Sequence, residues 1–268
     1  MIANFPALIQ NDGIEASLTS LNIKGNKFSW STDLNFTIPR NRLKSFPGLE
    51  TSPYANTYEL NKPINIIKTF KSKGVNPSTG LYEFYDSKGS VVSDPSADFA
   101  NYTQTIDPNP KYYGGFNNSL TYKGLSLSIL FQFVKQIGKN APYVGNPPGN
   151  GKINQPKYIL NRWQKDGDIA PYQKYTSSKF DVMQAFFYQL QSDAYWVNAS
   201  FVRCKNISLS YDFPKKFLLN GRVNDCRLYF NAQNVFTVTP YKGLDPETQS
   251  NFTMPPLRVL TIGLRVTL

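Results

Sequence analysis

Apolar and polar residues alternate along several stretches of this chain. Between residues 27 and 42, one set of alternate positions holds Phe28, Trp30, Thr32, Leu34, Phe36 and Ile38, and the other holds Ser29, Ser31, Asp33, Asn35 and Thr37. A period of two places successive side chains on opposite faces of a β-strand. This segment therefore predicts a strand with one apolar and one polar face.

Seven segments predict strands of this kind. They span residues 13–22, 27–38, 114–122, 126–137, 199–212, 225–238 and 257–268. In the fifth segment the alternation slips between Cys204 and Ile207, which predicts a β-bulge at Lys205–Asn206. Lys123–Gly124 predicts a two-residue hairpin turn, and Gly114–Gly115 a tight turn from loop into strand.

The connections between these strands are alternately short and long. The long ones cover residues 39–113, 138–198 and 239–256 and read as irregular loops. Transmembrane β-barrels have short periplasmic turns and long extracellular loops, and their strands need about 9–11 residues. The sequence thus predicts an all-β protein, an antiparallel transmembrane β-barrel with lipid on the apolar face and water on the polar face. A β-sandwich gives the same local alternation, so a secreted carbohydrate-binding or adhesin module is the alternative.

The amino-acid composition limits which binding partners and catalytic sites we expect. The chain has 268 residues, a net charge of +11 and no histidine. Lys and Arg are scattered rather than clustered, so we expect no nucleic-acid partner. Absence of histidine removes His-based metal sites and Ser-His-Asp catalysis, and Asp245 and Glu247 show no acid–base pattern. We expect no enzyme and no catalytic, metal or cofactor site.

The two cysteines, Cys204 and Cys226, are not expected to pair. A simple hairpin register places Cys204 opposite a residue near 233, far from Cys226 at a rise of about 3.3 Å per residue. The sequence predicts two free thiols.

The predicted strand count suggests a longer protein. Single-chain bacterial barrels have an even number of strands, whereas seven are predicted here. The first residues, MIANFPALIQNDG, show no export signal. We therefore expect Met1 to be an internal position of a longer protein, with further strands before it.

Several motifs, in order, resemble those of one family. They are NDGIEASL, NKPINIIKTFKSKGVNPSTGLYEFYDSKG, NPKYYGGFNNSLTYKGLSLSILFQF, ILNRWQKDGD, SDAYWVNASFVRCKNISLSYDFP, NAQNVFTVTPYKGLDPE and PPLRVLTIGLRVTL. Together they resemble the C-terminal part of the SusC/RagA family of TonB-linked (TonB-dependent) outer-membrane transporters of Bacteroidetes. The chain departs from the family pattern at Asn76, where Asp is usual, at Cys204, where Leu is common, and at Leu268, where an aromatic residue is usual.

The resemblance implies a role and partners. It implies part of an importer of oligosaccharide, or alternatively peptide, in the cell outer membrane, with membrane lipid around it. Residues 1–268 would form about seven strands of a 22-stranded barrel, without the plug domain and the first barrel strands. A SusD-like surface lipoprotein would close the outside, and the TonB complex would act through the missing N-terminal part.

The loop 138–198 carries the candidate contact residues. Among its aromatic residues are Tyr143, Tyr158, Trp163, Tyr172 and Tyr175. Flat aromatic rings stack on sugars and anchor protein interfaces. We expect Trp163, Tyr172 and Tyr175 to contact the lid lipoprotein or the substrate, or else to pack on their own barrel.

Overall fold

One antiparallel sheet of seven strands organises the chain. The computed structural model describes residues 6–141, 149–150, 154–218, 223–250 and 252–268. In the sheet each strand pairs with its neighbours in sequence order. The strands are β1 Leu8–Lys24, β2 Phe28–Ser45, β3 Tyr112–Tyr122, β4 Leu125–Lys135, β5 Phe201–Asp212, β6 Asp225–Val238 and β7 Val259–Thr267. All seven predicted strands are confirmed, and β1 and β2 extend beyond their predicted ends.

The strand register collects like residues into rows on each face of the sheet. One row crosses six strands and contains Ser31, Ser119, Ser128, Ser208, Asn231 and Thr261. The next row along the strands projects from the opposite face and contains Trp30, Leu120, Leu127, Leu209, Phe230 and Ile262. The alternation in each strand therefore continues across the sheet as a polar face and an apolar face.

The apolar face is exposed rather than packed into a core. Val238 is 64% exposed and Ile262 is 74% exposed. The buried apolar clusters of the described residues lie in the loops or at the loop end of the sheet. A β-sandwich would need a second sheet over these side chains. The sheet instead has the two-faced pattern of a barrel wall, apolar toward hydrocarbon and polar toward water.

Polar groups on the apolar face satisfy one another. Asn118 Oδ1 accepts hydrogen bonds from Trp30 Nε1 at 3.0 Å and from Thr32 Oγ1 at 2.8 Å. Asn22 Nδ2 donates to Thr32 Oγ1 at 2.8 Å. Such pairing matters on this face because an unsatisfied polar group in hydrocarbon is costly.

The bulge in β5 is confirmed. The pairing of β5 with both β4 and β6 shifts between Cys204 and Asn206. Cys204 lies opposite Phe236, not near 233, because hairpin pairing begins at Asp212–Arg227 and β6 has one extra residue between Gln233 and Phe236. Cys204 and Cys226 are both free thiols, as predicted.

The two glycine predictions have different outcomes. Lys123 and Gly124 form the β3–β4 turn with φ of 48° and 88°, which confirms the two-residue hairpin. The predicted turn at Gly114–Gly115 is wrong, because both residues lie inside β3. A Cβ atom on Gly114 would lie 2.2 Å from the Asn35 carbonyl oxygen. Gly114 therefore allows close approach of neighbouring groups rather than a turn.

The two longest connections contain regular structure, contrary to the prediction of irregular loops. The first loop, residues 46–111, and the second loop, residues 136–200, contain short strands at Ile67–Thr69, Lys71–Val75, Tyr82–Tyr85, Val91–Val92, Gln104–Ile106, Ile137–Lys139 and Trp196–Asn198. The α-helix Phe180–Leu190 follows Thr176, whose Oγ1 accepts the N–H groups of Ser178 and Lys179. Within the described residues, no helix has the length and apolar character needed to cross a membrane.

These two loops share one buried core, which we call the loop core. Its members are Phe70, Tyr82, Phe84, Ala185, Phe186 and Tyr188. Backbone bonds add to it, since Phe70 N donates to Gln191 O at 3.0 Å and Asp193 N donates to Phe70 O at 2.9 Å. Each loop thus supplies three of the six residues of the loop core. We call the two loops together the loop body.

Candidate functional site

Trp163 holds a tight turn of the first loop. Its Nε1 donates to the Pro77 carbonyl oxygen at 2.6 Å. The ring lies against Gly80, where a Cβ atom would meet it at 2.5 Å. Gly80 has a φ of 71°, which glycine adopts without steric cost. The Trp side chain therefore fits this turn because position 80 has no side chain.

Side chains on both sides stabilise this turn. Asn76 Oδ1 accepts the N–H groups of Ser78 and Thr79 at 2.8 and 3.2 Å. The Lys174 ammonium donates to the Thr79 carbonyl oxygen at 2.8 Å and lies 5.8 Å from the centre of the Trp163 ring. These contacts join residues 76–80 to the segment around Trp163 and Lys174.

Tyr172 contacts Trp163 through the backbone, and Tyr175 contacts Arg162, the residue before Trp163. Trp163 N donates to the Tyr172 carbonyl oxygen at 2.8 Å, and the Tyr172 ring packs against the loop core. The Arg162 guanidinium lies 4.0 Å above the Tyr175 ring, a geometry typical of a cation–π contact. We call Trp163, Tyr172 and Tyr175 the aromatic cluster. Tyr143 lies outside the described residues.

The aromatic cluster is half-buried, and its contacts given above are with the chain's own loops. Its contact with a lipoprotein or a substrate stays a prediction. The same segment also exposes large apolar side chains, among them Ile169, which is 95% exposed, together with Leu160 and Phe180. Exposed apolar groups in one segment are typical of an interaction surface.

Glu83 is a charged group that contacts the turn at Asn76. It accepts hydrogen bonds from Lys73 Nζ at 2.8 Å and from Asn76 Nδ2 at 2.6 Å. Burial raises the pKa of Glu83, but these two hydrogen bonds and the charge of Lys73 outweigh it, so the pKa lies below its usual value. Glu83 is therefore an ionised structural partner of the turn.

A buried ion cluster fastens the third loop, residues 239–258, to the sheet. Arg203 lies on the polar face of β5 and is 2% exposed. Its Nη2 donates to Asp245 Oδ2, its Nη1 to Glu247 Oε2 at 2.7 Å, and its Nε to Thr237 Oγ1 at 2.9 Å. Asp245 Oδ1 also accepts the N–H groups of Glu247 and Thr248, both at 2.9 Å.

Sequence reasoning missed this ion cluster. Asp245 and Glu247 had shown no acid–base pattern, and they act here as structural partners of Arg203. One signal was present in the sequence: an Arg at a polar-face position of a strand, followed after the next strand by two carboxylates in a loop. The register of β5 and β6 was needed to bring these groups together.

Comparison with known proteins identifies the relatives of this chain. No protein-family model matches it. TonB-dependent receptor P3 of Formosa agariphila is 26% identical over 302 residues, which cover 96% of this chain and 28% of the relative. TonB-dependent receptor SusC of Bacteroides thetaiotaomicron is 25% identical over 282 residues, which cover 97% of this chain and 26% of the relative.

A solved structure agrees with these sequence matches. The RagAB peptide transporter superposes with a TM-score of 0.75 and 26% identity, over 97% of this chain and 29% of the transporter chain. The chain is similar to SusC/RagA-type TonB-dependent receptors. Its seven-stranded sheet is part of an outer-membrane β-barrel. The chain spans 26% to 28% of the length of the two receptors named above.

Proposed function

We propose that this chain is the C-terminal part of a TonB-dependent nutrient importer of the outer membrane. The observation that carries the proposal is the pair of adjacent rows in the sheet. The Ser-rich row would line a wet lumen, and the row of Trp30, Leu120 and Leu127 would face lipid. The plug domain and the first barrel strands would lie in the part of the protein that precedes residue 1.

The loops define the orientation in this proposal. Short turns lie on the periplasmic side of such barrels and long loops lie outside. The loop body and the third loop would then form the extracellular mouth, with Arg203 holding the third loop at the rim. The TonB complex would act on the plug from the periplasmic side.

A SusD-like lipoprotein is the partner we propose for the loop body. The exposed side chains of Leu160, Ile169 and Phe180 support this, because apolar anchors at a protein surface are typical of binding interfaces. They lie in the segment that contains the aromatic cluster. The cluster would set the shape of this surface, and the exposed apolar groups would enter the interface.

Two nutrient classes fit the proposal, oligosaccharides and peptides. The aromatic cluster supports the first, since flat rings stack on sugar faces. The similarity to RagAB, whose solved structure is described as that of a peptide transporter, supports the second. The proposed role is transport and requires no catalytic group.

Uptake by cells tests this function. The full-length gene is deleted, and uptake of labelled oligosaccharides and labelled peptides is compared with that of the parent strain and of a strain without TonB. We expect one class of compound to lose uptake in both mutants. Unchanged uptake of every compound, or loss that is independent of TonB, would contradict the proposal.

Co-purification tests the lid contact. Substituting both Trp163 and Tyr172 by Ala is expected to lower recovery of the lipoprotein with the full-length receptor, because the surface of the second loop would lose its shape. Substituting Ile169 and Phe180 by Ser should lower recovery without disturbing the turn at residues 76–80. Val91→Ser, at an exposed site on the first loop, is the control. Equal recovery for all variants would leave the cluster with a packing role alone.

A further inference from the structure

Several lysines lie at the short-turn end of the sheet, and we call four of them, Lys24, Lys27, Lys123 and Lys215, the lysine rim. Lys24 and Lys27 flank the β1–β2 turn, Lys123 belongs to the β3–β4 turn, and Lys215 follows β5. All four residues are exposed. Three separate connections thus supply cations to the same end of the sheet.

These connections are neighbours in space. Lys123 N donates to the Lys27 carbonyl oxygen at 3.3 Å, which joins the first two turns. Asp212 N donates to the Gly124 carbonyl oxygen at 2.9 Å, which joins the second turn to the end of β5. The four lysines are therefore spread along one continuous edge.

The carboxylates at this end already have partners. Asp212 pairs with Arg227 through two hydrogen bonds, one of them Nη2 to Oδ2 at 2.7 Å, and Asp225 accepts from Arg265 at 3.2 Å. Within the part of the chain that the structure describes, no carboxylate forms an ion pair with a rim lysine. Within each Arg–Asp pair the two charges cancel, so the lysines give the rim a net positive charge.

The lysine rim borders the lipid-facing surface. Tyr122, Leu125 and Leu228 occupy the last row of the apolar face and are exposed. The Lys123 ammonium lies 5.2 Å from the centre of the Tyr122 ring. Aromatic residues at strand ends mark the depth of the lipid headgroups, and lysines beside them reach polar groups while their alkyl stems stay on apolar surface.

We propose that the lysine rim binds the phosphate groups of anionic glycerophospholipids in the periplasmic leaflet. This inference rests on the orientation given under the proposed function. Phosphate is a natural partner for lysine, and each cation near an anionic membrane surface raises affinity by about fivefold. A lipid is favoured over an acidic protein because the rim is continuous with the surface that contacts hydrocarbon.

The experiment measures lipid binding by the full-length receptor. Phosphatidylglycerol and phosphatidylcholine are titrated onto the detergent-purified protein, and bound lipid is counted by native mass spectrometry. The test variant carries Gln at Lys24, Lys27, Lys123 and Lys215. The control variant loses the same charge at the loop end of the molecule, with Gln at Lys88, Lys139, Lys157 and Lys242. Circular dichroism and heat modifiability on gels establish that each variant is folded.

We expect the test variant to bind phosphatidylglycerol at least about tenfold more weakly than the parent. The control variant should match the parent, and phosphatidylcholine binding should be equal in all three. Added salt should weaken phosphatidylglycerol binding by the parent more steeply than by the test variant. Equal phosphatidylglycerol binding by parent and test variant would overturn the proposal. If nutrient uptake then still fell in the test variant, the rim would serve a protein partner instead.

A labelling measurement separates this proposal from the orientation on which it rests. Asn26→Cys, in the β1–β2 turn, is combined with Cys226→Ser and exposed to a membrane-impermeant maleimide. We expect protection in intact cells and reaction after the outer membrane is opened. Reaction in intact cells would contradict the proposed orientation, whereas the lipid titration tests the rim itself.

Discussion

At the scale of single residues, Arg203 has the most demanding environment of the described charges. Its guanidinium is almost fully buried and all three of its nitrogen atoms donate to side chains. Its two carboxylate partners differ, because Asp245 is buried whereas the Glu247 side chain is 41% exposed. Removing one partner from a buried ion pair costs much more than removing an exposed one.

Asp245→Ala should therefore destabilise the full-length receptor by about 3–5 kcal/mol, because it leaves a buried cation with half of its charge partners. Glu247→Ala should cost about 1 kcal/mol. The free energy of unfolding in detergent, from a denaturant titration, measures both. Equal costs would show that burial of Asp245 is not what makes the pair strong.

Position 76 is Asn here, whereas Asp is usual at this position in the SusC/RagA pattern. The contact between Asn76 and Glu83 explains how the structure accommodates Asn. Asn76 Nδ2 donates to Glu83 at 2.6 Å, a role that a carboxylate cannot fill. In the parent, the lowered pKa of Glu83 means that its contribution to stability is present above the ordinary pKa of 4.5 and is lost as the pH falls through the lower, folded-state pKa.

Asn76→Asp should reverse this pH dependence. Two carboxylates at this distance raise one of their pKa values, so the variant is most destabilised at neutral pH and recovers as the pH falls toward 4. Hydrogen exchange of residues 71–85 at pH 7 and pH 4 measures the effect. Asn76→Ser is the control, whose penalty should not change over that range. A pH-independent penalty in Asn76→Asp would contradict the expectation.

At the scale of elements, the bulge in β5 determines which face Arg203 occupies. The shift between Cys204 and Asn206 changes the phase of the strand. Without it, residues 201–204 would exchange faces, since a one-residue slip turns every side chain over. The bulge thus places Arg203 on the polar face and Cys204 on the apolar face, opposite Phe131 and Phe236.

Deletion of Cys204 should abolish assembly, because either Arg203 or Lys205 would then take its position on the apolar face, opposite Phe131. Lys205→Ala keeps the bulge and should assemble normally. The folded, heat-modifiable band on a gel of outer-membrane fractions distinguishes the two. A folded band for the deletion variant would mean that the register adjusts elsewhere.

Gly80, in the turn held by Trp163, can be compared with Gly89, which lies in a separate turn between Asp86 and Ser90. Gly80 and Gly89 both have positive φ, but an added Cβ meets Trp163 only at Gly80. Gly89→Ala should cost about 1–2 kcal/mol from backbone strain alone. Gly80→Ala should cost about 1–3 kcal/mol more from the steric clash. Thermal unfolding of the purified receptor measures the difference, and equal costs would argue against ring contact.

Strands and loops differed in how far the sequence predicted them. The seven strands followed from alternation, because a strand between lipid and water must keep a period of two along its whole length. The bulge was visible as a slip in that period at Cys204–Ile207. The loop core was missed because Phe70 and Phe186 are more than a hundred residues apart, and no local pattern pairs them. The sequence identified the residues of the aromatic cluster, but the contact between the Trp163 ring and Gly80 could be seen only in the structure.

At the scale of the whole molecule, the exposed apolar face distinguishes the wall of a transmembrane barrel from a sheet of a soluble protein. Ile262 is in the middle of β7 and projects from that face, and Thr261 projects from the other. In water, Lys at an exposed site is tolerated. At the depth of the bilayer midplane it costs about 2–4 kcal/mol.

Ile262→Lys should therefore destabilise the full-length receptor in lipid by about 2–4 kcal/mol, and Thr261→Lys by less. Denaturant titration after refolding into lipid vesicles measures both. Equal, small effects would mean that Ile262 does not contact hydrocarbon.

The shared loop core has a consequence for how such receptors diversify. Phe70 and Phe84 come from the first loop, and Phe186 and Tyr188 come from the second loop. Replacing only one of these loops with the corresponding loop of a related receptor would leave aromatic rings of the loop core without their packing partners. Under the proposed function, we expect a change of cargo preference to require recombination of residues 46–200 as one unit. This unit includes β3 and β4, which lie between the two loops.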